Sequence, residues 1–425
     1  MKKLYAALVG AGNRGCIYAD YSLERPEELS VVAVVEPNDL RRKEAGERYN
    51  IPEERRYTAL DDFLKDEIKC DFVINATMDE YHYETAKAIM LSGYDMLLEK
   101  PIVNNERQLS DLKNIADKTG AKVLVCHVLR YTPFYRKIKE IINSGAIGEI
   151  MTMELDEHVA LFHFLDSFVR GKWNSEKRCG SSFLLQKSCH DTDLICWLNG
   201  KVKPKRVSSF GSRSQFVPKN APDGATEFCY NCPHTDTCYY SAQKVHLEKD
   251  LMPFQTWAEL DKPLDKITKQ EKAEYLKTHD YGRCAYNSGG DINDRQVVTV
   301  EFDNGSVATF TMVGASHIYG RNIRISGTKG GIYGRFEDGK FTLSTYNNKI
   351  LDWDEEVVDV NKDVVASEKY GGHGGGDYAI MYDAVRYFGG EGASVSVTTI
   401  EDSVNGHRVV YAAEKSNKEK TTVVL

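Results

Sequence analysis

Leu4-Tyr5-Ala6-Ala7-Leu8-Val9 runs straight into Gly10-Ala11-Gly12-Asn13-Arg14-Gly15, and this stretch decides the fold. The first six residues read as an apolar strand, and the glycine spacing after them is G-x-G-x-x-G. Gly10 permits a tight turn, Gly12 lets the main chain approach a pyrophosphate, and Gly15 lets the following helix pack close to the strand. The helix opening at Asn13 and Arg14 would offer free N–H groups to phosphate. About twenty residues on, a second apolar strand at 31–35 ends in Glu36, where a carboxylate can accept both ribose hydroxyls of a dinucleotide. Glu36 would also repel a 2′-phosphate, which points to NAD rather than NADP. Arg41 and Arg42 begin the next helix and are expected to face solvent.

The pattern continues as strand and helix in alternation up to residue 125. Helices are expected over 39–49, 83–92 and 106–119, with strands at 72–77, 96–98 and 122–126. Alternation of this kind specifies βαβ units and a parallel sheet. Beyond His127 the order changes. A helix is expected over 182–198, β-like runs follow at 206–209, 296–302, 306–313, 322–327, 331–333 and 341–345, and two helices close the chain near 377–388 and 400–416. Strands in succession with helices set apart specify an α+β unit with a large, mostly antiparallel sheet. The expected organisation is therefore a Rossmann domain at 1–125 and an α+β domain at 126–425. Within the latter, 214–292 is a Cys-rich insertion with little hydrophobic periodicity, not expected to order by burial alone.

Composition narrows the class. A chain of 425 residues is too long for one ordinary core. Hydrophobic residues make up 41% and charged residues 28%, as in soluble globular proteins. The net charge of −8 and the absence of a basic run argue against nucleic acid as a partner. No stretch approaches membrane-span length, and the apolar start breaks into the glycine turn rather than a cleavage site. Ten cysteines without a secretion signal suggest reduced thiols and a cytoplasmic location.

Two constellations carry chemistry. Glu99-Lys100-Pro101 follows a parallel strand at the edge where open α/β sheets bind ligands. A lysine desolvated there is expected to have its pKa lowered toward the range of proton transfer. On the expected 182–198 helix, Gln186 and His190 share a face, with Lys187 beside them and Asp193 one turn on. His190 could exchange the proton of a substrate hydroxyl, or could be a core histidine bonded to Asp193.

Gly10–Gly15, Asn75-Ala76-Thr77 followed by His82, Glu99-Lys100-Pro101, His127 to Tyr131 and His190-x-x-Asp193 resemble, in this order, the motifs of the Gfo/Idh/MocA family of NAD(P)-dependent oxidoreductases. The resemblance covers nearly the whole chain. It implies a sugar, cyclitol or related carbohydrate substrate, with Lys100 and His190 as the catalytic pair. Thr77, His82, Glu99 and Lys100 would join Gly10, Gly12, Asn13, Arg14, Gly15 and Glu36 around NAD, and the second sheet would form a homo-oligomer, dimer or tetramer. Tyr131, Arg170, Trp173, Asn174 and His373 are placed near the substrate together with Gln186 and Lys187, since aromatic faces and polar groups suit a sugar. One departure stands out: the family usually has Asp where this chain has Gln186. An amide cannot exchange a proton, so two readings stay open besides simple dehydrogenation. One is a redox-neutral glycosidase or lyase that oxidises a sugar transiently and eliminates a group. The other is an NAD-binding sensor.

Cys229-x-x-Cys232-x5-Cys238, with Cys284 further on, has the bite of a tetrahedral metal knuckle. One structural zinc stapling the insertion is expected there, against the alternative of four unrelated thiols.

Overall fold

The computed structural model describes residues 2–347, 349, 352–362 and 373–425. Strands β1 (Leu4–Val9), β2 (Leu29–Val35), β3 (Arg56–Tyr57), β4 (Phe72–Asn75), β5 (Met96–Leu98) and β6 (Val123–Val125) form one sheet in the order β3-β2-β1-β4-β5-β6. Every pairing in it is parallel. The order reverses between β1 and β4, so the crevice above these two strands is the topological switch point of a Rossmann fold. Strands buried on both faces need near-continuous apolar runs, and Phe72, Val73 and Ile74 on β4 are all fully buried.

The second sheet contains β7 (Ile150–Ala160), β8 (Pro204–Ser212), β9 (Arg295–Phe302), β10 (Val307–Ser316), β11 (Gly320–Gly327), β12 (Gly330–Arg335), β13 (Lys340–Asn347), β14 (Asp352–Asp359) and β15 (Val423–Val424). Its order is β14-β13-β12-β11-β7-β10-β9-β8-β15. Only β7 and β10 run parallel; the other neighbours are antiparallel. One face packs on the helices Cys189–Leu198 and Ile400–Glu419 through Leu194, Ile195, Val409 and Val410. Inward residues alternate along the central strands, for example Val298, Val300 and Phe302 on β9.

Three features depart from the sequence reading. The helix Gly376–Phe388, placed by sequence in the second unit, packs into the core of the first sheet. Phe388 stacks on Phe72 with ring centroids 4.6 Å apart, and Thr398 and Thr399 bond to the β6 edge. The insertion is also not coreless. Trp257, Ile267, Leu276 and Tyr281 form a small cluster of their own, and Phe216, Val245, Ala285 and Ile292 join the main core. Its helix Lys269–Thr278 begins with a full capping box between Thr268 and Glu271. Aromatic and aliphatic residues scattered without a regular period supply this burial, which is why periodicity missed it. The expected 182–198 helix is two pieces, Phe183–Gln186 and Cys189–Leu198. Gly371 and Gly372, which precede His373 in the chain, lie outside the described residues.

No helix among the described residues is long and apolar enough to cross a membrane.

Candidate active site

The loops after β1, β2, β4 and β5 converge on the switch point. Gly10 has φ +88°, and a Cβ there would lie 2.6 Å from the Ala76 carbonyl oxygen. A Cβ on Gly15 would lie 2.1 Å from the Gly10 oxygen, whereas one on Gly12 would meet nothing within 4 Å. The turn is thus tight where the chain packs and open where a pyrophosphate would approach. Gly12 precedes the helix Asn13–Ala19, whose first turn receives no side-chain cap. Glu36 is buried at the end of β2, where Oε2 accepts the Ala11 N–H at 2.9 Å and Oε1 accepts the Asn38 N–H at 3.0 Å. Arg41 is exposed, while the Arg42 guanidinium folds back onto the Glu36 and Pro37 carbonyls. These residues fit NAD: an open glycine turn, an uncapped helix start and a carboxylate set beside both.

Arg14 and His82 serve the frame of the site rather than its opening. Arg14 Nε donates to Glu99 at 2.8 Å and its terminal nitrogens hold Asp377 at 2.7 and 3.1 Å, bridging the first sheet to the Gly376–Phe388 helix. His82 is fully buried, with its ring nitrogens 2.6 Å from the Pro101 carbonyl oxygen and 3.0 Å from that of Thr77. Thr77 Oγ1 donates to Asn75 Oδ1 at 3.1 Å.

Lys100 is half-buried, and its Nζ donates to the main-chain carbonyl of Gln186 at 2.7 Å. In a continuous helix that carbonyl would accept the His190 N–H. The helix breaks at Lys187 (φ −112°, ψ −55°) and Ser188 (φ −87°, ψ 6°), which releases it. Two tertiary bonds, Lys100 to Gln186 and Lys187 to Glu157, replace the helical bond and override local propensity. The expected fall in the Lys100 pKa does not occur. Burial opposes the charge, but Cys189, Glu99 and Asp79 outweigh it and push the pKa up. Lys100 is a held ammonium.

His190 is buried, with its Nδ1 lacking a hydrogen-bond partner among the described residues. Burial, reinforced by Lys100, His127, His373 and Arg321, holds its pKa well below the usual histidine value. It is a neutral imidazole beside a cation. Asp193 does not serve it, because Arg130 takes both Asp193 oxygens at 2.7 and 2.5 Å. The His190 ring instead neighbours those of His127 and His373, at 5.8 and 6.1 Å between centroids. His373 Nδ1 lies 3.2 Å from Asp377.

A charged layer under His190 was not recognised from the sequence. Glu157 on β7 and Arg321 on β11 are register partners whose side chains meet at 2.6 Å. Lys187 reaches Glu157 at 3.2 Å, and Arg321 Nε donates to Asp191 at 2.8 Å. Burial raises the Asp191 pKa to about 7 against the opposing pull of Arg321. Glu157 Oε2 and Asp191 Oδ2 are buried without partners among the described residues. A signal existed: Glu157 shares the inward parity of Met153, Leu155 and Val159, and Arg321 that of Ile323 and Ile325. Charges in core register are rare unless paired.

The remaining expected substrate contacts divide. Gln186 Nε2 is anchored on the Ser181 carbonyl at 2.6 Å, leaving a buried Oε1 without a partner. Trp173 packs near Phe168 beneath the Lys172 ammonium. Tyr131 is buried with its hydroxyl toward Thr398, and Asn174 bonds the Val169 carbonyl and Arg178. Arg170 turns into the insertion, donating to the main-chain carbonyls of Arg283 and Tyr240. The structure thus gathers Lys100, Gln186, Lys187, His190 and His373 and ties Tyr131, Asn174 and Arg170 elsewhere.

Cys229, Cys232, Cys238 and Cys284 line one cavity of about 20 Å³. Among the described residues, no group of three or more His, Cys, Asp or Glu side chains is disposed to hold a metal ion, and the ten cysteines are free thiols.

A switch-point glycine turn with an acid at its side and a cation–imidazole pair below defines an NAD-binding oxidoreductase. Residues 4–127 match the family's NAD-binding Rossmann domain and residues 139–425 its C-terminal alpha/beta domain; the chain belongs to the Gfo/Idh/MocA oxidoreductase family. It is 25% identical over 320 residues to YteT of Bacillus subtilis (strain 168), covering 74% of this chain and 72% of that one. An NAD-binding oxidoreductase from Klebsiella pneumoniae superposes with a TM-score of 0.72 at 17% identity over 99% of both chains. Levoglucosan dehydrogenase, solved with NADH and levoglucosan, superposes with a TM-score of 0.71, also at 17% identity over 99% of both chains.

Proposed function

We propose that this protein is an NAD-dependent oxidoreductase acting between a hydroxyl and a ketone of a sugar or cyclitol. Bound NAD supplies a nicotinamide ring that accepts or returns hydride. His190, held neutral by burial, takes the hydroxyl proton in the oxidising direction and returns it in the other. Lys100, held charged, donates to the substrate oxygen and stabilises negative charge as it develops there. Gln186 cannot relay a proton, and its Oε1 accepts from a neighbouring hydroxyl. Burial around the pair keeps water from the reacting carbon. The observation that carries this reading is the Lys100–Gln186 bond, which fixes the ammonium beside a histidine that burial keeps uncharged. The carbohydrate class is supported by the family resemblance and by the levoglucosan dehydrogenase likeness. Incubating the protein with NAD and a panel of sugars and cyclitols, and following nicotinamide absorbance, tests it; no turnover of any polyol would overturn it.

A second reading, redox-neutral elimination, is favoured by the Lys187–Glu157–Arg321–Asp191 layer, which holds more acid–base groups than a single hydroxyl requires. Under it, a chromogenic glycoside would release its aglycone in the presence of NAD without net NADH.

A further inference from the structure

We propose that the cavity lined by Cys229, Cys232, Cys238 and Cys284 is a structural zinc site, closed on the ion by rotation of the thiol side chains. The main chain already brings the two cysteine segments together. Phe228 and Arg283 form an antiparallel bridge, and the Cys284 N–H donates to the Glu227 carbonyl at 2.8 Å. The 229–238 loop curls back on itself, with Cys232 N–H to Cys229 O at 3.3 Å and Cys238 N–H to His234 O at 2.8 Å. Cys284 is therefore held beside Cys229 by backbone bonds, and all four thiols line the same cavity. The Cys229 thiol rests on the Arg283 carbonyl at 3.8 Å, a weak contact that rotation releases.

Size and charge point the same way. A cavity of about 20 Å³ has room for one ion. Next to it lies Arg170, only 1% exposed, with no carboxylate in ion-pair contact among the described residues. Its Nη2 is 3.9 Å from Cys229 Sγ, and its Nη1 has no hydrogen-bond partner among the described residues. The nearby Asp166 carboxyl is turned instead to the Thr256 hydroxyl at 2.7 Å. A buried guanidinium needs an anion. Four thiolates around a dication carry a net charge of about −2 and supply one. Binding releases the four thiol protons to solvent and moves no electrons. His234 also lines the cavity, but its Nε2 is committed to the Asp223 carbonyl at 2.8 Å, so it stands outside the ligand set.

The test uses the full chain purified under reducing conditions. Elemental analysis should find about one zinc per chain. Stripping the zinc and adding cobalt(II) should give the visible absorption of a tetrahedral thiolate complex, saturating at one equivalent. Cys232→Ser and Cys284→Ser should each lose the metal, while Cys70→Ser and His234→Ala keep it. Reduced full-length protein that takes up neither zinc nor cobalt(II) would overturn the proposal, as would zinc that survives both Cys232→Ser and Cys284→Ser. Should those variants precipitate, the cobalt(II) titration of the unmodified chain decides alone.

Discussion

Lys100 Nζ donates to the main-chain carbonyl of Gln186, a residue 86 positions later, at 2.7 Å. The bond joins the edge of the Rossmann sheet to a break in a helix of the second unit, so the two halves of the site are positioned by one ammonium. Lys100→Ala should lower kcat by about 10²- to 10⁴-fold. It should also cost about 1–3 kcal/mol of stability by leaving the Gln186 carbonyl unpaired. Steady-state kinetics and urea unfolding measure the two effects separately, and NAD affinity should change far less than kcat. Turnover equal to the unmodified enzyme would remove Lys100 from the chemistry.

The pH profile should carry the mark of burial. His190 works as a base only when neutral, and its pKa lies well below 6.5. Lowering the pH through 6.5 should therefore leave kcat/KM for oxidation flat, with the acid limb appearing below that value. Because the Lys100 pKa is raised, its charge should persist through the neutral range and beyond the ordinary lysine value of 10.5. An acid limb at the ordinary histidine value would contradict the assignment of His190.

Cofactor choice follows from Glu36. Its carboxylate stands buried at the glycine turn, and Arg42 is folded onto main-chain carbonyls rather than turned out to meet a phosphate. NAD should bind more tightly than NADP, and Glu36→Ala should narrow the difference. Titration of both cofactors by fluorescence gives the answer directly; equal dissociation constants would refute it.

Arg321 bridges two buried carboxylates, Glu157 and Asp191, and Lys187 supplies the second positive charge at Glu157. Arg321→Met should destabilise the fold by about 3–5 kcal/mol, because it leaves buried charge uncompensated. Adding Asp191→Asn to Arg321→Met, which leaves Lys187 to balance Glu157, should recover much of that loss. Urea denaturation of the single and double variants would show recovery or its absence.

What could be read in the sequence was whatever depends on short spacing. The Gly10–Gly15 turn, Glu36 at the end of β2 and Lys100 at the end of β5 sit where local chemistry alone requires them. The Arg130–Asp193 pair was out of reach, since its partners lie 63 positions apart and nothing local marks them. The break at Lys187 and Ser188 was also invisible, because no glycine or proline announces it. Its cause is a pair of distant side chains, Lys100 and Glu157. Glu157 itself was legible in principle, as a carboxylate at an inward position of an alternating strand. Arg170 shows the opposite error: a cation near an aromatic suggested a sugar contact, but the chain had turned it toward the insertion.

The stacking of Phe388 on Phe72 has a consequence for how the chain is made. When the first six strands have left the ribosome, the face carrying Leu8, Phe72 and Ile74 still lacks Tyr378, Ile380, Met381 and Val385, which cover it in the finished protein. These strands must wait for the Gly376–Phe388 helix, with roughly 250 residues to be added at about 5–20 per second in between. Through that interval an apolar face is open to any passing surface. Synthesis of this protein should accordingly lean on chaperones that hold nascent chains, and fragments ending near residue 127 should aggregate although they contain every strand of a Rossmann sheet.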